Sequence, residues 1–155
     1  MIIVISGTPG TGKTTLAKKL AKALNYKHLD VKRLITMHKI ADSYDKKRKC
    51  HVVDTKQLNK ILIEKIKSNK NLIIDSHLSH FLPKKYVDLA IITKTNLKVL
   101  EKRLKKRRYN KQKIRENLDC EIFDICLNEA KEFGHKTKII DTTKGIKINQ
   151  IIKKL

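Results

Sequence analysis

The stretch Gly7-Thr8-Pro9-Gly10-Thr11-Gly12-Lys13-Thr14 spells G-x-x-x-x-G-K-T directly behind the apolar run Ile2-Ile3-Val4-Ile5. Few short patterns constrain a fold as tightly, because this one requires a buried strand before it and a helix after it. Its glycines let successive backbone N–H groups turn inward around phosphate oxygens, and the following helix directs its positive end at them. That helix is legible: from Thr14 onward Leu16, Leu20 and Leu24 share a face, with Lys18, Lys19 and Lys22 around it. In such a loop the lysine, here Lys13, reaches the β- and γ-phosphates, and the Thr14 hydroxyl ligates Mg²⁺. The expected ligand is a nucleoside triphosphate.

The rest of the chain alternates between strand and helix patterns. Asn25 ends the first helix, Tyr26 to Leu29 reads as a short strand, and Asp30 caps a helix starting at Val31. Lys39 to His51 is polar and charged and reads as an exposed, mobile insertion. Thr55 caps a helix carrying Leu58, Ile61, Leu62 and Ile66. Asn71–Asp75 and Leu89–Thr93 are apolar runs of buried-strand type, and Leu97, Leu100 and Leu104 recur at helical spacing after Thr95-Asn96. A longer helix is expected to carry Ile114, Leu118, Ile122 and Ile125 as one stripe, followed by a strand over Thr137–Asp141 and a closing helix with Ile148, Ile151, Ile152 and Leu155. This order predicts an α/β fold of the P-loop NTPase type, a parallel sheet with helices on both faces. At 155 residues, one domain over 1–155 is expected.

The net charge of +22 far exceeds what one triphosphate requires. Two readings fit it equally, a field that attracts a polyanion such as nucleic acid, or a lysine-rich solvated surface. Tighter clusters stand at Lys46-Lys47-Arg48-Lys49 and Lys105-Lys106-Arg107-Arg108. No apolar run is long enough for a membrane span, and a strand starting at residue 2 leaves no room for a targeting segment, so a cytoplasmic protein is expected. Cys50, Cys120 and Cys126 read as reduced thiols without a function.

Around the loop, Asp75 closes a buried strand at the sheet edge where α/β folds bind ligands, and is the expected acidic partner of Mg²⁺. His77, two residues on, is placed to orient or deprotonate a water or to polarise an acceptor. A zinc set from His77, His80, Cys50 and His51 is disfavoured by its spacing. Arg103, Arg107 and Arg108 stand at the end of a helix, where they could fold over the triphosphate as a lid; the insertion over 30–53 would hold an acceptor opposite. A purely RNA-binding module with a vestigial loop is disfavoured, since Lys13 and Thr14 are both present.

The loop GTPGTGKTT, the strand end Asp75-Ser76-His77, and above all RRYNKQKIRENLDCEIFDICLNEA (Arg107 to Ala130) resemble the adenylate kinase isoenzyme six family, the nuclear or archaeal adenylate-kinase-like ribosome assembly factors. The resemblance runs over nearly the whole chain. It implies a compact nucleoside monophosphate kinase of broad specificity, acting on AMP or a related monophosphate, that also hydrolyses ATP. It further implies a part in late small-ribosomal-subunit and rRNA maturation, by transient binding of the eleventh small-subunit ribosomal protein that hydrolysis releases. Carried over by position, Gly10, Gly12, Lys13, Thr14 and Thr15 would bind ATP, with Arg107 at its phosphates, where the helix-end reading adds Arg103 as a nucleotide-binding residue. Residues 30–53 would form the monophosphate-binding region and 106–116 a short lid. Lys13, Asp75, His77 and Arg107 would be the catalytic set, and Thr14 with Asp75 would hold Mg²⁺. Two positions depart from the family pattern: Arg107-Arg108-Tyr109 stands where R-G-Y is usual, and Lys32-Arg33 where relatives carry Gly-Asp. The alternative reading is a ribosome-binding ATPase switch with little or no kinase activity.

Overall fold

The computed structural model describes residues 1–45, 50–153 and 155; the Lys46-Lys47-Arg48-Lys49 cluster lies outside them. In chain order the elements are β1 (Ile2–Ser6), α1 (Lys13–Leu24), β2 (Lys27–Asp30), α2 (Val31–His38), β3 (Ala41–Asp45), β4 (Cys50–Val53), α3 (Thr55–Lys67), β5 (Leu72–Asp75), β6 (Leu89–Lys94), α4 (Leu97–Lys106), α5 (Lys111–Ile122), α6 (Ile125–Glu132), β7 (Thr137–Asp141) and α7 (Ile148–Ile152). Five strands pair in parallel in the order β2-β5-β1-β6-β7.

Every residue of β1 is buried, so its alternation sorts side chains between two apolar layers and not between core and solvent. Ile2 and Val4 face a layer with Val31 and Leu34 of α2 and Leu58 and Leu62 of α3. Ile3 and Ile5 face the other, with Leu16, Ala17 and Leu20 of α1 and Ile151 of α7. Register then aligns the chemistry: Ile5 pairs with Asp75, Asp30 with Asp75, and Ser6 with Ile92. The C-terminal ends of β1, β2, β5 and β6 therefore share one sheet edge, and the glycine-rich loop leaves from it.

Three local expectations are corrected. The α3 cap is Asp54 and not Thr55: its carboxylate accepts from the Lys56 and Gln57 amides at 2.7 and 3.3 Å, which leaves Thr55 as the first helical residue. The stretch from Lys39 to His51, expected to be exposed and mobile, has Ile40 fully buried at its start, and its β3 and β4 pair antiparallel outside the main sheet. The single helix expected across Ile114 to Ile125 is two helices. Asp124 takes a left-handed conformation (φ 53°), and the Lys94 ammonium seals the end of α5 by donating to the Glu121 carbonyl (3.0 Å) and the Asp124 carboxylate. A cation is favourable at that helix end. The break turns Ile122 and Ile125 outward, 49% and 40% exposed, and buries Glu121, Cys126 and Leu127 in their place.

Arg108 also adopts a left-handed conformation (φ 57°), just past the end of α4. Residues with a Cβ hold that conformation at a cost of roughly 1–2 kcal/mol that glycine avoids. Arg108→Gly is expected to stabilise the protein by about 1 kcal/mol after glycine's larger loss of chain freedom is deducted. That is a melting-temperature rise of roughly 2–4 °C. An unchanged or lower midpoint would show that the arginine side chain contributes more than its backbone loses.

Candidate functional site

The loop between β1 and α1 is held by a cage of hydroxyls. The Thr11 hydroxyl donates to the Thr8 carbonyl at 2.7 Å and lies 2.6 Å from the Thr93 hydroxyl. Thr142, just past β7, donates from its hydroxyl to the Thr11 carbonyl at 2.6 Å, and Thr95 lies 2.6 Å from Thr142. Gly12 stands at the N-cap of helix α1 and has no side chain to cap it, so the first amides of the helix remain directed into the loop.

Lys13 is half-buried, and its ammonium donates to the carbonyls of Gly7 (2.7 Å) and Thr8 (3.0 Å). Burial pushes its pKa down to about 8, against the pull of Cys126, Asp75 and Glu121, while Arg107 adds repulsion.

Asp75 is buried at the end of β5. His28 Nε2 is 3.7 Å from its Oδ2, long for a hydrogen bond. A buried carboxylate held this loosely suits a hard cation, and with the exposed Thr14 hydroxyl it supplies the oxygen chemistry that Mg²⁺ selects. His77 keeps an exposed face at the rim. Its pKa is lowered to about 4, by crowding from the protein and then by the charges of Lys13 and Lys113. Both effects disfavour the charged ring, so the imidazole is neutral at pH 7. His80 points elsewhere, with Nδ1 2.7 Å from the buried Ser6 hydroxyl. The side chains of Cys50 and His51 lie outside the described ones.

The arginines separate. Arg103 reaches back to the loop, donating to the Gly10 carbonyl at 3.3 Å, the Thr95 hydroxyl at 3.2 Å and the Thr142 carbonyl at 3.1 Å. It binds the loop to the ends of β6 and β7 and forms a wall of a cavity of about 580 Å³. Gly10, Gly12, Thr15, Lys19, Lys106, Arg107 and Thr142 form further walls, with Gly145 and Ile146. The volume falls in the range of small-ligand sites, and four cationic side chains face it without a carboxylate among the walls. Lys13, Thr14, Asp75, His77 and Arg108 are not among them. The 106–116 segment comprises the end of α4, a turn through Arg107–Asn110, and the first half of α5.

Glu121 was not singled out by any sequence pattern. Buried in α5, it accepts from the Thr8 hydroxyl at 2.6 Å and from the Thr95 amide at 2.9 Å, joining the loop to the end of β6. Thr93, Thr95 and Thr142 were missed for the same reason. The one available sign was a glutamate on the apolar side of a helix pattern, where an unpaired charge is not tolerated.

Comparison with known proteins gives three kinds of likeness. Residues 3–124 match the family model described as an AAA domain. A protein of Dictyostelium discoideum named adenylate kinase isoenzyme 6 homolog is 35% identical over 138 residues, covering 89% of this chain and 78% of its own length. One of the same name from Caenorhabditis elegans is 30% identical over 131 residues, covering 84% and 72%. Among solved structures, a deoxyadenosine kinase from M. mycoides with bound dATP superposes with a TM-score of 0.66, covering 99% of this chain and 98% of that one at 17% identity, a likeness of fold.

Proposed function

Because the chain belongs to the adenylate kinase isoenzyme 6 family, we propose that it transfers the γ-phosphoryl group of ATP to a nucleoside monophosphate, AMP first, and hydrolyses ATP when no acceptor is bound. One observation carries this: a cavity of about 580 Å³ opening on Gly10 and Gly12, faced by Lys19, Arg103, Lys106 and Arg107. A tetra-anionic triphosphate answers that charge, and its phosphates meet the amides at the start of α1. Lys13 leaves its two carbonyls to hold the β- and γ-phosphates. Arg107 and Arg103 close on the transferring group, excluding water and balancing its charge. Thr14 and Asp75 would hold Mg²⁺, which when bound neutralises the β- and γ-phosphate oxygens. The 30–53 segment holds the acceptor opposite the donor, and 106–116 acts as lid.

Neutral His77 accepts a hydrogen bond from the attacking water or acceptor hydroxyl. His77→Ala is expected to slow hydrolysis by about 10²-fold with nucleotide affinity reduced far less. Equal losses in both would make His77 a structural residue.

The biological role we propose is that of a cytoplasmic assembly factor: transient binding of the eleventh small-subunit ribosomal protein during late maturation of the subunit and its rRNA, with hydrolysis releasing the partner. The net charge of +22 supports it, because phosphate-rich surfaces attract such a field. Binding to small subunits is expected to fall steeply as salt is raised, and indifference to salt would remove the electrostatic part of this reading.

The deciding experiment follows ATP consumption with and without each monophosphate, scoring diphosphate against free phosphate, with Lys13→Ala as the blank. Diphosphate formed in step with an added monophosphate establishes the kinase and names its acceptor. Phosphate released regardless of monophosphate favours the ATPase switch with little kinase activity. Lys32 and Arg33 at the exposed start of α2 are consistent with that outcome, standing where the family pattern has Gly-Asp.

A further inference from the structure

Strand β7 is the last of the sheet, and among the described residues no strand pairs with its outer edge. Its bonds to β6 fix which way the backbone faces. The Ala90 amide donates to the Lys136 carbonyl and the Thr142 amide to the Lys94 carbonyl, both at 2.9 Å, with Ala90 level with Thr137 and Lys94 with Asp141. Along a strand, successive residues turn their N–H and C=O groups to opposite sides. Lys138 and Ile140 therefore face β6 like Lys136 and Thr142, while Thr137, Ile139 and Asp141 face outward. The edge is a row of outward donors and acceptors at two-residue spacing, an open template for another strand.

The two faces beside this edge differ. On the α7 side Ile140 is buried with Ile151, and a cavity of about 280 Å³ opens at the strand, with Lys138, Lys144 and Lys147 among its walls. Its one carboxylate, Asp141, accepts from the Thr143 amide at 2.8 Å and the Thr143 hydroxyl at 2.5 Å, and three lysines against it keep the cavity cationic. On the α6 side Ile139, level with buried Ile92, is 52% exposed. A strand laid along β7 meets ammonium groups with one set of alternate side chains and an isoleucine with the other.

We propose that the β7 edge takes up an extended segment of a partner protein in which carboxylates alternate with apolar side chains, the carboxylates entering the cationic cavity. Main-chain bonds to Thr137, Ile139 and Asp141 supply affinity, and the alternation sets the register. A second copy of this chain is the poorer occupant, because edge-to-edge pairing brings the same lysines together between chains of net charge +22. A nucleic-acid strand answers the lysines but not the edge. Its phosphates only accept, which leaves the outward carbonyls of β7 without a row of donors, and no aromatic side chain lines the cavity to stack a base.

The test uses the full chain and a fluorescein-labelled peptide, Glu-Val-Glu-Val-Glu-Val-Glu, followed by anisotropy. Saturable binding is expected, weakening as salt is raised, and the same composition with glutamates and valines in separate blocks should bind much more weakly. Two further peptides carry N-methyl groups, one on the valines and one on the glutamates. Only one set of amides faces β7 in an added strand, so one of these peptides should lose binding and the other keep it. Ile139→Pro deletes an outward N–H and no bond to β6, and should weaken the parent peptide about fivefold. Lys138→Glu with Lys144→Glu should weaken it about tenfold. Melting temperatures show whether each variant folds; where one does not, the methylated pair decides on the unaltered protein. A block peptide that binds equally, two methylated peptides that behave alike, or a folded Ile139→Pro protein with full affinity would each overturn the proposal. So would an oligouridylate that binds these lysines while the peptide does not, or a dimer in sedimentation that Ile139→Pro dissolves. No readout needs nucleotide, so failure of the kinase reading would be seen separately.

Discussion

Lys13→Ala is expected to reduce both phosphoryl transfer and ATP hydrolysis by about 10²–10³-fold, the loss typical of removing one preorganised charge from a developing anion. The fold should survive, because Lys13 contributes little to it. Its ammonium is satisfied by the Gly7 and Thr8 carbonyls, but burial holds its pKa near about 8 against an ordinary 10.5. Between those values the unfolded chain binds a proton that the folded chain has released, so stability rises with pH through that window. Below it, the protonated lysine opposes folding. At pH 7 alanine removes this penalty while leaving two carbonyls to water, and the melting temperature without nucleotide should move little. The variant should also lose the rise in stability between pH 8 and 10.5. What should vanish is stabilisation by nucleotide. For the parent at a hundredfold excess over Kd that is about 2.7 kcal/mol, roughly 5–10 °C in melting temperature. A Lys13→Ala protein that melts far below its parent without nucleotide would refute the separation of site from fold.

The parts of this site that could be read in the sequence are those made by local pattern. A glycine-rich loop behind Ile2–Ile5 and a carboxylate at the end of an apolar run are contiguous, and the sheet simply brings their ends to one edge. The cage around the loop is not local. Thr142 and Thr11 are distant in the chain, and their hydrogen bond exists only because β7 lies beside β6 in register with Ala90 to Lys94. Glu121 was hidden more deeply. An apolar period running through Ile114, Leu118, Ile122 and Ile125 argues for one helix, yet burying Glu121 beneath Thr8 requires the helix to break at Asp124 and to expose two of those isoleucines. Hydrophobic period was overruled there by a buried carboxylate that satisfies two donors. Arg103 shows the same limit. Helical spacing located it at the end of α4, but nothing local distinguishes an arginine that covers a ligand from one that also braces the loop through Gly10 and Thr142.

Gly7→Ala is the substitution expected to damage the protein most for the least added mass. Gly7 has φ +136°, and a Cβ there would stand 2.6 Å from both the carbonyl oxygen and the hydroxyl of Thr93. The carbonyl belongs to Thr93 near the C-terminal end of β6, where the residue is held in register with Ile140 of β7, so it cannot retreat without disturbing that pairing. Backbone strain of about 1–3 kcal/mol adds to an overpacking penalty of similar size, giving roughly 3–5 kcal/mol, a large share of the about 5–15 kcal/mol that holds a typical protein folded. The melting temperature should fall by roughly 10 °C or more, and nucleotide binding should fail even where the chain still folds, because the first turn of the loop must move. Gly145 supplies the comparison. It too has positive φ, +91°, but a Cβ there meets nothing within 4 Å, so Gly145→Ala bears the backbone strain alone and should lower the midpoint by a few degrees. The difference between the two variants measures the close approach of the loop to Thr93. If they melt together, the approach is not tight, and the loop is positioned by its hydroxyl cage instead.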